Sequence, residues 1–162
     1  MAFHGLFVGI DRYASAGINW LAFASRDARA LEAQFSDTLG GQTTLLVDAE
    51  ATRARMEAEF ARLSTCAEDD TVVIAFSGHG TEHHQLVTYD TDPNALVATC
   101  VSLDELTDWF AKIPARHLVL LLDCCFSGGA GAKVLKVDNL ARDMTSVDTR
   151  LERMSGSGRL IV

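Results

Sequence analysis

The sequence predicts an α/β sandwich built on a mainly parallel sheet. Two observations carry this: short, continuous apolar runs alternate with segments of helical periodicity, and the apolar runs end in polar, glycine-rich turns. GLFVGI (5–10) reads as a buried strand that ends in the turn-prone DRYASAG. SRDARALEAQFSDTL (25–39) places Ala28, Leu31, Phe35 and Leu39 at helical spacing, and Gly40 and Gly41 stop the helix. TTLLV (43–47) reads as a second strand, ATRARMEAEFARL (51–63) as a helix with Met56, Phe60 and Leu63 on one face, and TVVIAF (71–76) as a third strand leading into SGHG. QLVTYD (85–90) reads as a short alternating strand or hairpin, and Ser102 with Glu105 forms a capping box that opens a further helix. LVLLL (118–122) is too short to span a bilayer and too uniformly apolar for one wet face, so a strand buried on both faces is expected.

Composition narrows the function. With 162 residues, 48% of them hydrophobic and 22% charged, the chain suits one domain with a real core, spanning 1–162. A net charge of −8, with no basic stripe interleaved with aromatics, argues against nucleic acid as a partner. No apolar run reaches the roughly 20 residues of a membrane helix, and the start MAFHGLFVGID lacks the features of a signal peptide. A soluble, cytoplasmic protein with no membrane partner is expected. Its four cysteines, Cys66, Cys100, Cys124 and Cys125, follow no zinc spacing and fit thiols in a reducing compartment.

In parallel sheets, chemistry sits beyond the carboxyl ends of the strands. Three such ends carry polar residues: Asp11 and Arg12, residues 77–80, and residues 123–129. His79 and a cysteine at 124 or 125 can meet there, where an imidazole would help ionise the thiol. Side chains alternate along a strand, so Asp123 and Cys125 share a face and Cys124 takes the other. Cys124 is then a small packing residue and Cys125, beside the FSGG turn, the better nucleophile. The backbone N–H groups of Gly80 and Cys125 would serve a developing oxyanion.

SGHG after one buried strand and DCCFSG after the next long one resemble the large catalytic subunit of caspase-like cysteine peptidases. The chain resembles metacaspases and their prokaryotic relatives more than animal caspases, because Asp123 stands two before the cysteine where animal caspases carry Gln. FVGIDRY and LAFASRDA are similar to the metacaspase opening. The resemblance implies a caspase-like three-layer α/β/α sandwich, with His79 as general base or acid, Cys125 as nucleophile and the Gly80 N–H in the oxyanion hole. It also implies a role in prokaryotic defence or regulated cell death.

Asp123 shares a face with Cys125, and Asp27 lies in the first turn of the first helix, so two carboxylates beside the thiol would select a guanidinium or ammonium group. The resemblance implies the same: the matching aspartates bind the P1 residue, favouring cleavage after Arg or Lys. Structural rivals exist. Asp27 would also suit the helix macrodipole, Asp123 a structural cap, and His79 a turn.

Glu82, His83 and His84 lack a third convincing metal ligand and read as a solvated loop. Asp90, Asp92 and Asp104 are similar to the acidic calcium site of many metacaspases, but Asn94 and Ala132 stand where further carboxylates are wanted. No metal or other cofactor is expected to be required. Cys66 and Cys100 default to structural roles.

Residues 128–158 show no strong periodicity yet hold Lys133, Lys136, Arg142, Arg150 and Arg153, so a mobile or processing loop cut after a basic residue is expected. GRLIV then starts a strand. The resemblance implies that the C-terminal part of the sheet, the small subunit, is missing from this chain and is a partner alongside the protein or peptide substrate. Two other classes compete: a catalytically silent binding or scaffold module of the same fold, and a nucleotide-binding or serine hydrolase domain. The second would carry GxGxxG or GxSxG, and neither is present.

Overall fold

A computed structural model of the chain describes residues 1–124, 134–135 and 158–162. In chain order the elements are β1 (Phe3–Gly9), α1 (Ala24–Leu39), β2 (Gln42–Val47), a 3₁₀ turn (Asp48–Glu50), α2 (Arg53–Leu63), β3 (Thr71–Ser77), β4 (Gly80–Thr81) and β5 (Gln85–Leu86). Then follow α3 (Leu96–Thr99), β6 (Val101–Ser102), α4 (Leu103–Ala111), β7 (His117–Asp123), β8 (Val134–Leu135) and β9 (Arg159–Ile161). Five strands form one sheet in the order β2-β1-β3-β7-β9, parallel at every pairing. A small second sheet runs β6-β5-β4-β8.

Strand alternation splits the core into two layers. Leu6, Val8, Val72, Ile74, Leu118 and Leu120 face one side with Met56, Phe60 and Leu63 of α2 and Leu106 and Phe110 of α4. Phe3, Phe7, Val73 and Ala75 face the other, beneath Ala28, Leu31 and Phe35 of α1. The result is the three-layer α/β/α arrangement expected from the sequence. Glycine at position 9 lets α1 come down close, because a Cβ there would lie 2.3 Å from the Ala24 carbonyl oxygen.

Local chemistry explains where the elements begin. Thr52 caps α2 by accepting the Arg55 N–H, and Ser102 and Glu105 complete the capping box of α4. Arg53 of α2 reaches Glu105 and the Cys100 carbonyl, tying α2 to the start of α4.

Three expectations need correction. Leu39, on the apolar stripe of α1, is 52% exposed because it lies in the last turn, beyond the sheet contacts of Leu31 and Phe35. The alternating run at 85–90 pairs only at Gln85–Leu86. Beyond it the Thr88 N–H donates to Thr91 Oγ1 and the Thr88 hydroxyl to Asp90, and these local bonds turn the chain out of the sheet. β7 is not fully buried on both faces: Val119 and Leu121 remain partly exposed on the α1 side, and Leu122 does so on the α2/α4 side.

At the edge of the sheet where the strands begin, Asp70 accepts hydrogen bonds from Ala2 N–H at 2.6 Å and Ala67 N–H at 3.0 Å and pairs with His4 at 3.1 Å. The two backbone donors, with a further contribution from His4, hold its pKa down at about 2 against an ordinary 3.8. The folded state therefore keeps this carboxylate ionised where the unfolded chain protonates it. Its stabilisation should be complete above the unfolded value and disappear as pH falls toward 2. Urea unfolding of the wild type and Asp70→Asn across that range checks this: the gap between them should narrow steadily as the pH drops.

Candidate active site

The register of the central strands puts three polar strand ends side by side. Gly9 of β1 pairs with Ser77 of β3, which pairs with Asp123 of β7, so the residues that follow each strand emerge on one edge. The convergence expected from the sequence is present for the residues described.

His79 follows β3 and is 5% exposed. Its Nε2–H donates to the Asn19 carbonyl at 2.7 Å, which leaves Nδ1 as the lone-pair nitrogen. Nδ1 is buried and has no hydrogen-bond partner among the described residues. The His79 backbone N–H donates to the Tyr13 hydroxyl at 3.0 Å, and its carbonyl accepts from Val87 N–H at 3.0 Å. An imidazole held with its Nδ1 lone pair available is suited to accept a proton from a nucleophile.

Cys125, the sequence-derived nucleophile, lies outside the described residues, as do the residues of the FSGG turn. The two residues before it are described. Cys124 is partly buried against the α2/α4 core, as the sequence alternation expects, while Asp123 faces the α1 side. Gly80 opens β4, paired with Leu86 on one side and Val134 on the other.

Asp27 and Asp123, both exposed, line one cavity of ≈ 360 Å³ together with Ala28, Leu31, Ala75, Ser77 and Leu121. The Ser77 hydroxyl donates to Asp123 Oδ2 at 2.9 Å. Asp27 lies in the first turn of α1, where its charge also suits the helix macrodipole, and a different acid caps the helix. The Asp11 carboxylate accepts from Ala24 N–H at 2.8 Å and Ser25 N–H at 3.1 Å.

Sequence reasoning missed the loop between β1 and α1 as a scaffold. Asp48, at φ 47°, accepts from the N–H groups of Asp11 and Arg12 and from the Ser25 hydroxyl, pinning this loop to the end of β2. The same loop supplies the Tyr13 hydroxyl and the Asn19 carbonyl to His79. No sequence signal marks Asn19, since its backbone makes the contact.

Glu82, His83 and His84 form the tight turn between β4 and β5 and are all partly buried, unlike the solvated loop expected. Asp90 accepts from Arg53 N–H and the Thr88 hydroxyl, and Asp92 from Asn94. Among the described residues no group of three acidic, histidine or cysteine side chains is arranged to hold a metal. No helix among the described residues is long and apolar enough to cross a membrane.

The family model described as the caspase domain, Peptidase_C14, matches residues 3–156. No curated protein matches the chain. Among solved structures, protein GSU0716 from Geobacter sulfurreducens is similar, with a TM-score of 0.62 at 19% identity over 77% of this chain. The match covers 51% of that protein, so this chain spans about half its length. The family match runs over nearly the whole sequence, and the parallel sheet carries a histidine after its central strand: the chain belongs to the caspase-domain family of cysteine peptidases.

Proposed function

We propose that the protein is a cysteine endopeptidase in which His79 and Cys125 form the catalytic dyad and the P1 residue of the substrate is Arg or Lys. The observation that carries this reading is the shared cavity of Asp27 and Asp123 beside the His79 strand end. Its apolar lining suits the aliphatic stem of Arg or Lys, and its two carboxylates suit the cationic head. The two acids would repel a P1 aspartate.

In the reaction, His79 Nδ1 takes the thiol proton as Cys125 Sγ attacks the scissile carbonyl. The Gly80 and Cys125 N–H groups stabilise the oxyanion, and the proton passes to the leaving amine. Water then hydrolyses the thioester. The cycle draws on no metal, and the functional class is closest to metacaspases, with a cytoplasmic role in prokaryotic defence or regulated cell death.

Self-processing is part of the proposal. β8 runs parallel to β4 beside Gly80, and Lys133 and Lys136 flank β8 in sequence. A segment with basic residues on either side of a strand next to the site is a natural first substrate. The small-subunit part of the fold would complete the substrate groove after cutting.

One experiment tests both parts. The purified protein is incubated alone and with a P1-randomised peptide library, with and without calcium, and all products are read by mass. Cuts after Arg and Lys in the library, and after a basic residue between 133 and 153 in the protein itself, are expected without calcium. Cleavage after Asp, or full peptide turnover with the chain uncut, would overturn the pocket or the processing step respectively.

A further inference from the structure

We infer that Tyr13 is the positioning residue for His79, holding the imidazole where it meets the thiol; the inference rests on reading His79 as the catalytic base. His79 stands between Gly78 and Gly80, so neighbouring side chains do little to fix its backbone. Tyr13 supplies what the glycines cannot. Its hydroxyl accepts the His79 N–H at 3.0 Å and donates to the Ile10 carbonyl at 3.3 Å, using both of its hydrogen-bonding roles within the protein. Its ring lies against the imidazole, with centroids 5.3 Å apart and planes at 37°.

The phenol is itself rigidly seated. Tyr13 is 5% exposed and packs in the main core, and its loop is pinned by Asp48 through the Asp11 and Arg12 N–H groups. Burial raises the Tyr13 pKa, against the smaller lowering by the His79 N–H bond, so the hydroxyl keeps the proton it donates to Ile10. The clearance is narrow as well: a Cβ on Gly78 would lie 3.3 Å from the Tyr13 hydroxyl oxygen. Asn19, six residues further along the same loop, holds Nε2. One loop therefore fixes the histidine at its backbone, at one ring nitrogen and on one ring face, leaving Nδ1 for chemistry.

Tyr13→Phe keeps the ring and deletes the hydroxyl. In the intact protein, kcat for a P1-Arg peptide should fall about tenfold with KM within about twofold, as expected for a misplaced catalytic group rather than lost binding. The solvent-sheltered Nε2–H proton resonance of His79 should broaden or vanish in the same variant. Met56→Ala, a truncation in the α2 layer of the core, is the control: it should lower Tm while keeping kcat and the resonance. A Tyr13→Phe protein that loses only stability, with kcat and resonance intact, would overturn the positioning role. Reading the resonance also in a Cys125→Ala background separates the two claims. An inactive wild type defeats the dyad, whereas an unperturbed resonance in Tyr13→Phe defeats the assignment to Tyr13.

Discussion

Replacing Cys125 by alanine should abolish peptide cleavage, lowering kcat/KM by at least about 10⁴-fold, whereas Cys124→Ala should leave turnover near wild type. The two thiols are adjacent in sequence, yet the roles expected of them predict opposite outcomes. Cys124 packs against the α2/α4 core beneath the sheet and is only partly buried, so its truncation removes one small group at roughly 1 kcal/mol or less. By the alternation expected from the sequence, Cys125 would share the face of Asp123, which lines the cavity. Turnover assays and thermal melts on both variants measure this. A Cys125→Ala protein that still cleaves would mean that the nucleophile is another group. Alkylation near neutral pH adds a second reading: Cys125 should react fastest, and His79→Ala should slow it.

The second large effect concerns Asp123. Asp123→Ala should lower kcat/KM for P1-Arg and P1-Lys peptides by about 10²–10³-fold, equivalent to roughly 3–4 kcal/mol, because the substrate cation would lose a charged partner. Asp27→Ala should act in the same direction on the same substrates. Ser77→Ala should have a smaller effect, since its hydroxyl orients the Asp123 carboxylate at 2.9 Å without carrying charge. Steady-state kinetics on matched P1-Arg, P1-Lys and P1-Asp peptides checks the set. Equal losses on all three peptides would indicate a folding defect, and no loss on the basic ones would dissociate the cavity from P1 recognition.

The fold was legible because its strands are continuous apolar runs and its helices carry explicit start and stop signals. The Ser102–Glu105 capping box and the Gly40 stop act over a few residues, so sequence alone locates them. The run at 85–90 misled because its alternation is the pattern of a strand, while the hydrogen bonds of Thr88, Asp90 and Thr91 favour a turn. Leu39 shows the complementary limit. Helical spacing gives the direction of a side chain but not how far the sheet beneath it extends.

For the site, sequence by itself determined which residues have the right chemistry: His79 between glycines, the paired cysteines, and acids at positions 27 and 123. Motif order and strand alternation are local properties, and the expectation that Cys125 rather than Cys124 is the nucleophile rests on them alone. Only the tertiary structure decided which groups share a space. The register that aligns Gly9, Ser77 and Asp123 brings Asp27 and Asp123 to one cavity across nearly a hundred residues of chain. It also assigns the capping of α1 to Asp11 and the restraint of His79 to Tyr13 and the Asn19 carbonyl. A backbone carbonyl is the same at every residue, and a tyrosine hydroxyl finds its partner only when β1 lies beside β3. Such contacts are set by strand pairing between distant segments, which no local pattern encodes.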